Sequence, residues 1–168
     1  IRDKKGEAIA FGGDISEERA AKTCIDVTIK KFKRLDVLVN NAGVFLDNAM
    51  TQDYPVADFD ETIRMNIRSA FMMTRFALPH LQKFRGNIIS AGSESGTIGL
   101  AQNTPYGGTK GWIHAFMRGV AVEQAQFGVR ANCVCPGPID TAEAAANCDS
   151  NAPMSGLAAT LRANDEPR

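Results

Sequence analysis

Leu35-Asp36-Val37-Leu38-Val39-Asn40-Asn41-Ala42-Gly43 is the stretch on which the fold turns. A short apolar run that stops at two asparagines and a glycine reads as a buried strand ending in a turn. A helix precedes it. Ser16 reads as the N-cap, Glu17 and Glu18 fall in the first turn and Lys30, Lys31 and Lys33 in the last, which suits the helix dipole at both ends. Ala21, Cys24, Ile25, Thr28, Ile29 and Phe32 recur at helical spacing and give one apolar face. Before that helix, Ala8-Ile9-Ala10-Phe11 reads as another strand.

Downstream, a long helix is expected over residues 58–84, with Phe59, Ile63, Ile67, Phe71 and Leu78 on its apolar stripe and a bend at Pro79. Asn87 to Ser90 reads as a third strand. Thr104-Pro105 opens the next helix as N-cap and first-turn proline, and that helix runs to about Phe127. Val129 to Cys135 is the fourth strand. Strand and helix therefore alternate, which predicts right-handed βαβ crossovers and an α/β fold, its parallel sheet covered on both faces. Ligands of such sheets bind beyond the carboxyl ends of the strands. Asp14, Asn41, Ser93 and Pro136-Gly137 each follow a strand in this reading, so the turns that hold them converge on one edge.

The bulk properties narrow the function. The chain has 168 residues, enough for one domain with a core. Its 19 basic and 19 acidic side chains cancel, which gives no electrostatic case for nucleic acid or an anionic membrane. No apolar stretch approaches the roughly 20 residues of a membrane span, and no signal peptide is visible behind Ile1. Cys24, Cys133, Cys135 and Cys148 show no disulfide framework. Cys133 and Cys135 share a strand face and read as small buried hydrophobes in a reducing compartment, so no metal site and a cytoplasmic location are expected. His80 and His114 read as satisfied helix residues rather than ligands, and Met72, Met73 and Met117 as core or oligomer-contact residues.

Chemistry concentrates in Tyr106-Gly107-Gly108-Thr109-Lys110, which puts a phenol and an ammonium on one helical face. A tyrosine hydroxyl ordinarily titrates near ~10 and is a poor proton carrier at neutral pH. A neighbouring cation favours the phenolate and lowers that value toward an acid/base catalyst's range. Gly107, Gly108 and Gly111 each weaken the helix by up to ~1 kcal/mol relative to alanine, which implies that a ligand or a packed element approaches its backbone closely.

Read in order, Asn40-Asn41-Ala42-Gly43, Asn66, Ser93, Tyr106 with Lys110, and Arg130-Ala131-Asn132-Cys133-Val134-Cys135-Pro136-Gly137-Pro138-Ile139-Asp140-Thr141 resemble the short-chain dehydrogenase/reductase family over residues 7–141. The resemblance implies a Rossmann-like doubly wound parallel sheet, here incomplete, with strands 3 to 6 and their helices. It implies an NAD- or NADP-dependent oxidoreductase acting on an alcohol or ketone. Tyr106 would be the general acid/base, and Lys110 would tune it and hold the nicotinamide ribose. Ser93, chosen over Ser90 and Ser95 by its separation from Tyr106, would bond the substrate oxygen. Asn66 would open its helix locally and hold a water linking the lysine to solvent. Asp14 and Ile15 would flank the adenine, although an N-cap role for Asp14 competes. Asn41, Ala42 and Gly43 would wall the adenosine ribose and brace the sheet. Pro136-Gly137 would turn the chain toward Ile139 and Thr141 at the nicotinamide carboxamide.

Family members begin with a strand, a glycine-rich turn and a helix that meet the pyrophosphate. No such segment stands here, and the second strand, which selects NAD or NADP, is also missing. Gly92, Gly96 and Gly99 belong to the serine turn and do not replace it. The sequence is thus expected to be one partial domain, residues 1–168, of a longer polypeptide, with residues 142–168 as a substrate lid. On its own it is expected to bind cofactor poorly. In the intact protein the helices over 58–84 and 106–127 would pair about a two-fold axis in a dimer or tetramer. Two rivals remain at this point: an epimerase or dehydratase with the same Tyr–Lys chemistry, and a non-catalytic dinucleotide-binding fragment.

Overall fold

A computed structural model describes residues 6–137. Three parallel strands, β1 (Val37–Asn40), β2 (Asn87–Ala91) and β3 (Arg130–Val134), lie side by side in that order. Leu38 pairs with Ile88 and Ile88 with Ala131, while Asn40, Ser90 and Cys133 share the next row on the same face. The chain leaves β1 through α2 (Val56–Ile63), a π turn (Arg64–Arg68) and α3 (Ser69–Phe84), and leaves β2 through α4 (Thr104–Gln124). Both crossovers step the same way across the sheet. Right-handed connections of that kind lay their helices on one face.

Burial shows the result. Leu38, Ile88 and Ser90 are buried beneath the helices, whereas Val37, Val39 and Val134 on the other face stand 49%, 59% and 50% exposed. The expectation of cover on both faces is therefore corrected: among the described residues, helix covers one. The core between sheet and helices is Ile88, Ala77, Leu81, Met117, Ile113 and Val120, continued by Ala21 and Ile25 of α1 (Glu18–Phe32), which packs on α3. Residues 8–11 form no strand. In the expected strand order two other strands stand between this segment and β1, so the ladder that would define it is not available.

Helix boundaries hold two further corrections. Glu17, not Ser16, is the N-cap of α1; Ser16 is buried, and its backbone N–H and hydroxyl both bond Asp14. The long helix is interrupted at the π turn around Asn66 and not at Pro79, which stays inside α3. Its buried face is also different from the expected stripe. Thr62, Asn66, Ser69, Ala70, Met73, Ala77 and Leu81 point inward, while Phe59 and Phe71 stand 44% and 39% exposed. Small residues let α3 lie close to the sheet and α1, so size and not mean hydropathy selects the inner face. α4 starts at Thr104 behind Asn103, with Pro105 in its first turn, and runs through a 3₁₀ turn (Ala125–Phe127) to Gly128, whose φ of 72° suits a left-handed cap.

Candidate active site

Tyr106 and Lys110 rise from the first turns of α4 on one face. The Lys110 ammonium is buried, donates to the Ala91 carbonyl at 2.9 Å, and lies 5.3 Å from the centroid of the Tyr106 ring. Phe45 meets the same ring edge-on, with centroids 5.2 Å apart. Burial raises the Tyr106 phenol above its ordinary range, and the Ser93 side chain opposes this by favouring the phenolate. Burial also lowers the Lys110 ammonium, opposed by the nearby Cys133. The phenol is thus raised and not lowered here, because desolvation of its hydroxyl outweighs the Ser93 bond.

Asn66 explains the π turn. Its Oδ1 accepts from the Val44 backbone N–H at 2.7 Å, and its Nδ2 donates to the Val44 carbonyl at 2.9 Å and to the Thr109 hydroxyl at 3.0 Å. Thr109 in turn donates to the Tyr106 carbonyl at 2.7 Å. A wide turn with one extra residue directs that amide inward. At Gly43 a Cβ would come within 3.0 Å of Asn66 Oδ1 and 3.6 Å of Lys110 Nζ, so this turn packs backbone against both. Asn40 joins β1 to the helix layer, donating to Thr74 at 3.0 Å and to Ser90 at 3.1 Å. Ser90 is wholly buried and bonds Met117, which makes it a core residue.

Ser93 stands two residues beyond β2 in extended backbone, and its hydroxyl accepts from the Ser95 N–H at 3.2 Å across a 3₁₀ turn (Glu94–Gly96). This turn is the body that the helix glycines admit. A Cβ on Gly107 would strike the Ser95 carbonyl at 2.7 Å, and one on Gly96 the Gly111 nitrogen at 2.6 Å, whereas Gly108 faces open space. The Pro136-Gly137 turn lies beside it, with the Glu94 N–H donating to the Pro136 carbonyl at 3.1 Å. Ser93, Tyr106, Lys110, Asn66 and Pro136-Gly137 are therefore neighbours. Ile139, Thr141 and the segment 142–168 lie outside the described residues.

Ile15, Asn41 and Ala42, expected on the nucleotide side, line a cavity of about 60 Å³ with Leu38, Val39 and Ser69. Asp14 accepts both Ser16 bonds, which holds its carboxyl below the usual range, and pairs with Arg64. Arg64 also binds Glu61 through two 2.6 Å bonds, and Arg68 donates to the Ser16 carbonyl at 2.8 Å. Both arginines belong to the π turn, so the turn that supplies Asn66 also fixes the start of α1. Sequence reasoning missed Arg64, Arg68, Thr109, Phe45 and the Ala91 carbonyl, whose roles arise only from tertiary contact. His114, read as a satisfied helix residue, has ring partners: the Ser93 backbone N–H faces its Nε2 at 3.5 Å and Cys135 Sγ lies 3.2 Å from it.

No helix among the described residues is long and apolar enough to cross a membrane. The short chain dehydrogenase family profile matches residues 1–152. Bovine (Bos taurus) L-fucose dehydrogenase is 38% identical over 128 residues, covering 76% of this chain and 47% of that protein. The chloroplastic NADPH-dependent aldehyde reductase 1 of Arabidopsis thaliana is 36% identical over 135 residues, 80% of this chain and 46% of its own. Among solved structures, NAD+-bound xylitol dehydrogenase superposes with a TM-score of 0.82 at 29% identity, covering 85% of this chain and 55% of that one. ElxO with NADP bound gives 0.78 at 36% identity over 82% and 56%. The chain spans about half the length of the curated relatives it matches. With the family profile running through the same turns that meet at Tyr106, the chain belongs to the short chain dehydrogenase family.

Proposed function

We propose that the protein is an NAD(P)-dependent oxidoreductase that interconverts a secondary alcohol and a ketone. The observation that carries this is the meeting of Tyr106, Lys110, Asn66 and Ser93 beside the Ala91 carbonyl, a phenol, an ammonium and a hydroxyl at one strand-end edge. Relatives named for L-fucose and xylitol support a CH–OH substrate.

The residues present fit a dinucleotide. Ile15, Asn41 and Ala42 line the crevice beyond β1, and the Gly43 backbone would be crowded by any Cβ. When bound, the nicotinamide supplies or accepts the hydride. The chain's own residues do the rest. Tyr106, kept protonated by burial, gives its proton to the substrate oxygen in reduction and takes it back in oxidation. Ser93 donates a hydrogen bond to that oxygen as charge develops. Lys110 holds positive charge near the phenol and would hold the nicotinamide ribose, and Asn66 ties the Val44 backbone to the Thr109 turn beneath them. Ile139 and Thr141 would complete the carboxamide contact. A reducing, cytoplasmic setting fits the free thiols of Cys24, Cys133 and Cys135.

The outward faces of α2, α3 and α4 suit a two-fold pairing of subunits into a dimer or tetramer. Phe59 and Phe71 project from them, Trp112 stacks on Phe116 at 4.5 Å, and a groove of about 470 Å³ runs between Tyr54, Phe59, Ile67 and Trp112.

Tyr106→Phe in the full-length protein tests the reaction. Turnover with a secondary alcohol should fall by about 10²–10⁴-fold, with nucleotide affinity retained. Unchanged turnover would remove Tyr106 as the acid/base, and turnover without net NAD(P)H formation would replace the oxidoreductase reading.

A further inference from the structure

Behind the serine turn, two cysteines and a histidine point at one another. Cys133 lies in β3 and Cys135 follows directly after its last residue, Val134. His114, one helical turn beyond Lys110 on α4, brings its Nε2 to 3.2 Å from Cys135 Sγ. All three candidate ligand atoms lie within 4.8 Å of one another. The catalytic reading uses none of them. Their surroundings are close-fitting: a Cβ on Gly92 would stand 2.4 Å from His114 Nε2 and 2.6 Å from Cys133 Sγ, so only glycine lets the chain pass over the cluster. Cys135 is exposed and gives a path from solvent.

We propose that His114, Cys133 and Cys135 form a three-ligand site for a thiophilic cation of the zinc class, and that filling it slows the enzyme. Zinc holds thiolate at about 2.3 Å and imidazole at about 2.0–2.1 Å in a tetrahedron, which sets ligand atoms about 3.6 Å apart. The separations found here reach that spacing with small side-chain movements. Two thiolates and an imidazole select a soft or borderline cation over magnesium or calcium, and the fourth position faces the opening beside Cys135. Loading displaces the thiol protons. The coupling to turnover runs through His114. Its Nε2 is the ring nitrogen 3.5 Å from the Ser93 backbone N–H. A cation on Nε2 occupies the lone pair that this N–H faces, so the turn carrying the Ser93 hydroxyl must shift.

Cobalt(II) replaces zinc as a visible probe. Titrating the reduced full-length protein should give one equivalent of a thiolate-to-cobalt charge-transfer band with tetrahedral d–d absorption. The band should be lost in Cys133→Ser and Cys135→Ser, and cobalt affinity should fall more than about tenfold in His114→Ala. Zinc at the same stoichiometry should bleach the band and lower turnover several-fold in the wild type but not in Cys135→Ser. No band with the thiols reduced, a band that survives in both cysteine variants, or turnover indifferent to a filled site would each overturn the proposal. The kinetic arm rests on the oxidoreductase reading and the spectrum does not, so the two can fail separately.

Discussion

The two ends of the candidate site are held in different ways. Around Tyr106 and Lys110, four segments interlock through side-chain hydrogen bonds: Val44 to Asn66, Asn66 to Thr109, Thr109 to the Tyr106 carbonyl, and Lys110 to Ala91. Around Ile15, Asn41 and Ala42 the crevice lining is mostly apolar side chain and turn backbone, and the side-chain bonds lie behind it, where Arg64 and Arg68 hold Asp14 and Ser16. The difference follows the task. On the proposed reading, proton transfer requires reacting atoms within about 3 Å of each other, and the bonds of Asn66, Thr109 and Lys110 serve it by fixing the turns around the phenol. An adenosine-sized surface spreads its recognition over many weak contacts, each of which can change a little.

The strongest way to break this comparison is Asn66→Ala. It removes the partners of the half-buried Val44 N–H and carbonyl and of the buried Thr109 hydroxyl, each costing about 1–3 kcal/mol, so unfolding by denaturant should show a loss of at least about 2 kcal/mol together with reduced turnover. A stable, active variant would mean that the interlock is ornamental. Next comes the glycine pair. Gly107→Ala drives a Cβ into the Ser95 carbonyl and should cost about 1–3 kcal/mol with a displaced serine turn. Gly108→Ala, facing open space one residue away, should be neutral or stabilising by up to about 1 kcal/mol. Equal losses in both would show that helix propensity, and not contact with the turn, governs this stretch.

On the nucleotide side, Ile15→Ala removes part of a half-buried side chain, about 1 kcal/mol, or roughly a fivefold rise in nucleotide KM with kcat preserved. A collapse of kcat would erase the distinction between the two ends. The smallest effect is a titration. Burial disfavours the phenolate, so in nucleotide-free protein Tyr106 should ionise above the usual phenol value, read by alkaline difference spectra against Tyr106→Phe. Ionisation below that value would place the lysine, and not desolvation, in control.

How far the sequence could be read follows the same division. Alternating strands and helices, the three strand-end turns and the Tyr106–Lys110 face were legible because each rests on local period or spacing. The buried side of α3 was not, because Phe59 and Phe71 look like core by composition, while Ala70 and Ala77 win the inner position by size. Residues 8–11 read as a strand from their apolar character alone, yet a strand exists only with neighbours to bond. The charge on Lys110 was visible in sequence; its engagement by the Ala91 carbonyl 19 positions away was not, and neither was the burial that raises the phenol.

The wide turn at Arg64–Arg68 has a consequence for insertions and deletions. The wide turn itself absorbs the extra residue, so removing one residue there would let the helix close to an even pitch of about 100° per residue with Ala70, Met73 and Ala77 still facing the strands. What such a deletion would take away is the inward aim of Asn66, so chain length across this turn bears on the amide that ties Val44 to Thr109 and not on the packing of α3.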